Sequence, residues 1–210
     1  MNERYHRNTL LFGQEGQRKL GATTVALVGV GGLGSAFAQH LALLGVGQVD
    51  LIDHEELDNT NRNRFVGARH DDPVPGSFKV DLAARHIGEI NPGVKAVTCR
   101  FPLVSDDAFE LVKSASVVVG CLDDDGPRFI LNELCAAYDK PYIDLASDVP
   151  DSNAYGGRVF VAWDGNGCLH CLGELDSDVV RRYLTSSEER ARKDAIYGIT
   201  TTVLGATGLR

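Results

Sequence analysis

The chain has 210 residues, 43% of them hydrophobic and 24% charged, which suffices for one well-buried α/β domain and is too short for two of ordinary size. Its formal net charge of -8 comes without the clustered Lys and Arg that phosphate contacts require, so neither nucleic acid nor an anionic membrane surface is expected as a partner. No run approaches the roughly 20 apolar residues of a membrane span, and the polar opening Met1, Asn2, Glu3, Arg4 lacks the order of a signal peptide, so a cytoplasmic protein is expected.

In chain order, short apolar runs alternate with helical segments, the pattern of βαβ units closing a mostly parallel, Rossmann-like sheet with helices on both faces. Residues 25–28 read as the first buried strand, 32–44 as a helix and 49–52 as the second strand. Helical spacing over 78–90 stops at the breaker Asn91, Pro92, Gly93. Residues 94–100, 117–120 and 142–144 supply further strands, with 128–138 as the helix before the last of them. A strand over 157–162 falls outside the strict βα alternation. The loop 66–76 and the polar stretch 186–193 read as mobile segments, the latter alternatively as a solvated helix.

Gly29, Gly31 and Gly34 form G-x-G-x-x-G directly after the first strand and at the opening of a helix. Gly29 permits a tight turn, Gly31 lets a phosphorylated ligand approach the backbone, and Gly34 lets the helix pack on the strand. The helix N-terminus adds N–H donors and partial positive charge. Asp53 follows the second strand about 20 residues later, placed to accept from ribose hydroxyls. These four residues indicate an adenine-nucleotide binder and do not separate NAD from ATP.

The run Asp53, His54, Glu55, Glu56, Leu57, Asp58, Asn59, Thr60, Asn61, Arg62, Asn63, Arg64 is similar to the D-x-D-x-V-x-x-S-N-L-N-R-Q signature of the E1-like (ubiquitin-activating) superfamily. That superfamily includes molybdopterin- and thiamine-pathway adenylating enzymes. Arg4 to Asn8 resembles its R-Y-x-R-Q opening, Lys79 heads a helix as the family's phosphate-binding lysine does, and Cys121 to Arg128 resembles its C-x-D-N-x-x-x-R segment. Arg62, Phe65 and Asp124 stand where the family commonly has Leu, Gln and Asn. The resemblance implies a single adenylation domain over 1–210, lacking the family's C-terminal helix and strands. It implies ATP and Mg²⁺ as cofactors and a ubiquitin-like or sulfur-carrier protein as partner, whose C-terminal carboxylate is adenylated with release of pyrophosphate.

The resemblance further assigns the ribose to Asp53 and the neighbourhood of the phosphates to Asn61. Arg64 and Lys79 would hold phosphate oxygens, Arg64 by its planar fork and Lys79 as a point charge, and Asp123 would hold Mg²⁺. Arg7 would reach the neighbouring subunit's site in a homodimer. Asp124 and Asp125 read as solvated turn residues beside Asp123, with a share in the metal as the alternative.

Five cysteines, an odd number without disulfide-framework spacing, imply reduced thiols. Cys99, Cys121 and Cys135 read as core. Cys168 and Cys171 form a C-x-x-C knuckle that can grip one face of a Zn²⁺ ion, but family members with zinc take a second such pair and no cysteine follows Cys171 here, so the zinc site is expected to be incomplete. The same lack of a cysteine between Gly173 and Arg210 argues against a thioester step by this chain. Residues 197–208 resemble the family segment that precedes a small-residue helix and the final strands. Two other classes remain: a non-catalytic nucleotide-binding or scaffold subunit, and an NAD-dependent oxidoreductase, which would leave Arg64, Lys79 and Asp123 without a role.

Overall fold

The computed structural model describes residues 3–151, 153–163, 165 and 167–185, without the side chains of 148–151. The expectations for 186–193 and 197–208 lie outside the described residues.

Helix α1 (His6–Ala22) precedes strand β1 (Thr24–Val28), and α2 (Gly32–Leu44), β2 (Gln48–Ile52), α3 (Lys79–Ile90) and β3 (Lys95–Cys99) follow. Then come α4 (Asp106–Ser114), β4 (Val117–Gly120), α5 (Asp125–Ala137), the hairpin β5 (Tyr142–Asp151) and β6 (Ala154–Ala162), and α6 (Ser177–Thr185). The sheet order is β3-β2-β1-β4-β5-β6. All neighbours pair in parallel except β5 with β6, which run antiparallel from Tyr142 opposite Ala162. The mostly parallel α/β sheet expected from the sequence is therefore present.

β1 shows why these residues make a doubly covered sheet. Side chains alternate along a strand, so Val25 and Leu27 enter one apolar layer and Ala26 and Val28 the other. The first layer is filled from α2 and α3 by Leu41, Val80 and Ile87, the second from α4 and α5 by Val112, Ile130 and Leu131. Because the chain leaves β1 for β2 on one side and later enters β4 on the other, a crevice opens at the carboxyl ends of β1 and β4.

Three helices were not apparent from the sequence. α1 contains Gly13, Gly16 and Gly21, buries no residue and breaks at Gly13 (φ 73°), so its pattern carries no apolar stripe. It is fixed at its start instead: Arg4 Nη2 donates to Ile90 O at 2.7 Å and Asn91 Nδ2 to Tyr5 Oη at 2.7 Å. Helices α4 and α6 have nine residues each, too short for their periodicity to stand out. Ser105 caps α4 by accepting from Ala108 N at 3.3 Å.

The hairpin strands outrun their expected lengths, 142–144 and 157–162, because antiparallel pairing extends both strands. The loop 66–76 has anchors that its composition does not reveal. Arg85 donates to both carboxylate oxygens of Asp72, at 2.6 and 2.9 Å, and Arg62 donates to the carbonyls of Arg69 and Asp72 at 2.5 and 2.7 Å. No helix among the described residues is long and apolar enough to cross a membrane.

Candidate active site

The crevice holds a cavity of about 330 Å³ whose walls include Gly29, Gly31, Asp53, Asn61, Arg64, Lys79 and Asp123. Seven residues expected at the site from the sequence are thus brought together. The eighth, Gly34, acts from behind: a Cβ there would lie 2.0 Å from Gly29 O, so glycine is what lets α2 close onto the turn. Gly29 has φ 86°, and a Cβ on it would meet Cys121 O at 2.7 Å. Gly31 is the N-cap of α2 with no side-chain cap, which leaves the first-turn N–H groups facing the cavity.

Asp53 accepts from Val30 N at 2.7 Å through Oδ2 and from Glu55 N at 2.8 Å through Oδ1. Burial nevertheless pushes its carboxyl above the ordinary value, against the pull of those donors and of the Lys79 charge. Asn61 closes a short 3-10 turn by accepting from Asp58 N at 3.1 Å through Oδ1, which leaves its amide NH₂ as the group available to a ligand.

Arg64 is exposed, and its Nη1 donates to Thr60 O at 2.6 Å. Its stem lies over Gly32, where a Cβ would come 3.0 Å from Arg64 Cγ. Lys79 is the first residue of α3, nearly buried, and its ammonium bonds the Glu55 carboxylate. Glu55 is the site residue that the sequence did not single out, although it occupies the second acidic place of the D-x-D pattern.

Of three consecutive acids, two are already engaged. Asp124 accepts from Gly126 N at 2.7 Å as the N-cap of α5, and Asp125 takes Arg128 and, at 2.8 Å, Asp176 N. Asp123 is exposed at the cavity wall. One exposed carboxylate on the wall of a cavity is a donor set that would suit Mg²⁺, which takes few protein ligands and completes its shell with water and a ligand's oxygens. Behind it, Arg128 donates to Leu122 O and, at 3.0 Å, to Asp144, which is fully buried and also accepts from Tyr142 Oη at 2.9 Å and Arg158 Nη2 at 3.3 Å. This network ties the backbone beside Asp123 to the hairpin. Cys121 is a core residue whose thiol burial pushes up to about 12.

One expected residue, Arg7, and the thiol pair lie elsewhere. Arg7 sits on α1, close to the contacts that Tyr5 makes with Gly45 and Asn91, at the carboxyl ends of α2 and α3. The cavity is at the amino ends of those helices, the length of α2 or about 20 Å away. Cys168 and Cys171 lie on a turn beside α5, Sγ to Sγ 3.3 Å, with Leu169 N donating to Asn132 Oδ1 at 2.9 Å. The two thiolates amount to half of a tetrahedral zinc set, and among the described residues no group of three or more His, Cys, Asp or Glu is placed to hold a metal ion.

Known proteins resemble the chain in sequence and in fold. The chain is 33% identical over 171 residues to "Adenylyltransferase and sulfurtransferase MOCS3-1" of Zea mays, covering 80% of this chain and 35% of that protein. It is 37% identical over 172 residues to "Protein HesA, vegetative" of Trichormus variabilis, covering 81% and 63%. It therefore spans between about a third and just under two thirds of these relatives. The crystal structure of E. coli MccB with ATP superposes with a TM-score of 0.64 at 23% identity, over 97% of this chain and 63% of that one, a likeness of fold. Residues 5–208 match the ThiF family, and the chain belongs to that family within the E1-like superfamily.

Proposed function

We propose that the chain is an ATP-dependent adenylating domain that activates the C-terminal carboxylate of a ubiquitin-like or sulfur-carrier protein in the cytoplasm. The observation that carries this reading is the convergence of Arg64, Lys79 and Asp123 on the cavity that already holds the glycine turn and Asp53. A nicotinamide site would leave the first three without work. Adenylyltransferase is also the activity in the name of the Zea mays relative, and ATP is the ligand named with MccB.

In this reading the ribose bonds Asp53 and the phosphates lie against the open N–H groups of α2, the Asn61 amide, Arg64 and Lys79. The carrier carboxylate attacks the α-phosphorus, a bond forms to the carboxylate oxygen, and the bond to the bridging oxygen of pyrophosphate breaks. Negative charge grows on the leaving group, which the Arg64 fork and the Lys79 ammonium offset. Mg²⁺, held by Asp123, would neutralise phosphate charge. A second cleft of about 940 Å³ shares Asp123 and Ser147 with the nucleotide cavity and passes between the hairpin and α6, a path by which a carrier tail reaches the phosphate.

Calorimetric titration with Mg-ATP and, separately, NAD tests the reading. Wild type is expected to bind ATP and give no heat with NAD, and Arg64→Ala to weaken ATP about tenfold or more, the loss of one charge-assisted contact of about 1.5–3 kcal/mol. Binding of NAD with indifference to ATP overturns it.

A further inference from the structure

Lys79 is joined to one short segment twice. Its main-chain N–H donates to Glu55 O at 3.0 Å, beside the isolated bridge between Glu56 and Phe78, and its ammonium bonds the Glu55 carboxylate. The two ends of that ion pair differ in freedom: the Lys79 side chain is 7% exposed and that of Glu55 58%. The cation is therefore fixed in the wall, while the carboxylate stands at the rim where it can turn into solvent.

Two further carboxylates, Asp53 and Asp58, feel the Lys79 charge. Both are committed elsewhere, Asp53 to Val30 N and Glu55 N and Asp58 to Thr60 N at 2.7 Å. Glu55 is the acid of the three whose side chain bonds the ammonium itself. A triphosphate entering the cavity brings its own negative charge to the same nitrogen, and two anions crowded around one largely desolvated ammonium repel each other.

We propose that Glu55 is an exchangeable counter-ion of Lys79: it holds the ammonium in the empty cavity, turns out to solvent when the nucleotide's phosphates take its place, and returns as pyrophosphate leaves. Glu55 in this role is a positioning residue that weakens phosphate binding and favours release of the leaving group. The inference rests on the adenylation reading.

Calorimetry with ATP, inorganic pyrophosphate and AMP on the wild type, Glu55→Gln, Lys79→Met and the double variant tests it. Glu55→Gln is expected to bind ATP and pyrophosphate about three- to tenfold tighter, the effect of removing one partly exposed competing charge. AMP, which lacks the two phosphates that leave, is expected to bind as to wild type. In the Lys79→Met background the gain is expected to vanish, and Glu55→Asp, which keeps the charge, is expected to stay near wild type. Glu55→Gln that melts like wild type and binds ATP no tighter overturns the inference, as does an equal gain for AMP or a gain that survives without Lys79. A wild type that binds ATP together with any of those three results sinks the inference alone. A wild type that fails to bind ATP sinks the adenylation reading and the inference with it.

Discussion

Asp50 lies in the middle of β2 with no exposed surface, and its two oxygens fare differently. Gln48 Nε2 donates to Oδ1 at 2.6 Å, whereas Oδ2 has no hydrogen-bond partner among the described residues. Burial raises its carboxyl above the ordinary value, against the weaker pull of Gln48 and Lys95. A raised folded value means that the protonated form suits the fold, so Asp50 burdens stability as pH rises through that value and has no such effect below the unfolded value of about 3.9. Asp50→Asn is therefore expected to raise the urea midpoint at pH 7, with the gain fading towards pH 4. Equal midpoints for the two proteins at both pH values would show that the ionised side chain costs nothing.

Among elements, the loop 66–76 depends on one acid for its shape. Asp72 accepts twice from Arg85, and from Arg69 N at 2.6 Å, and the Arg85 guanidinium holds its carboxyl down at about 2. A depressed value gives stability that is present above the unfolded value and is lost as pH falls through the folded one. Asp72→Ala is expected to cost about 2 kcal/mol at neutral pH, with the deficit relative to wild type closing between about pH 4 and 2. Chemical denaturation across that range checks it. The loop also shows where sequence reading stops. Alternating strands and the glycine turn declare themselves because burial and backbone geometry demand those residue types locally, but the pairing of Asp72 with Arg85 joins residues 13 positions apart that the fold alone brings together. Glu55 was hidden for the same reason, since its meaning lies in the neighbour that α3 delivers. Helix α1 was hidden because it buries none of its residues.

For the whole molecule, the separation of Arg7 from the cavity has a consequence for assembly. An arginine at the far ends of α2 and α3 cannot serve its own chain's phosphates, so its expected role requires a second copy with the site shared between subunits. Arg7→Ala and Arg64→Ala, each expected to be poorly active alone, are then expected to recover about a quarter of wild-type activity when mixed in equal amounts, since half the random dimers hold one intact composite site of two. Pyrophosphate exchange on the mixture checks it, and a mixture no better than its components removes the shared site. Sedimentation of the wild type is expected to show a dimer, and a monomer would remove the shared site as well.

The same architecture determines what ligand binding must reorganise. Asp53 spends one oxygen on Val30 N and the other on Glu55 N, so the glycine turn is tied to the end of β2 by the chain's own hydrogen bonds. The conformational entropy of that turn is surrendered during folding, so a ligand entering the cavity has less main chain to order. On the adenylation reading, affinity at this site is then a contest between charges, with little backbone ordering left to oppose it.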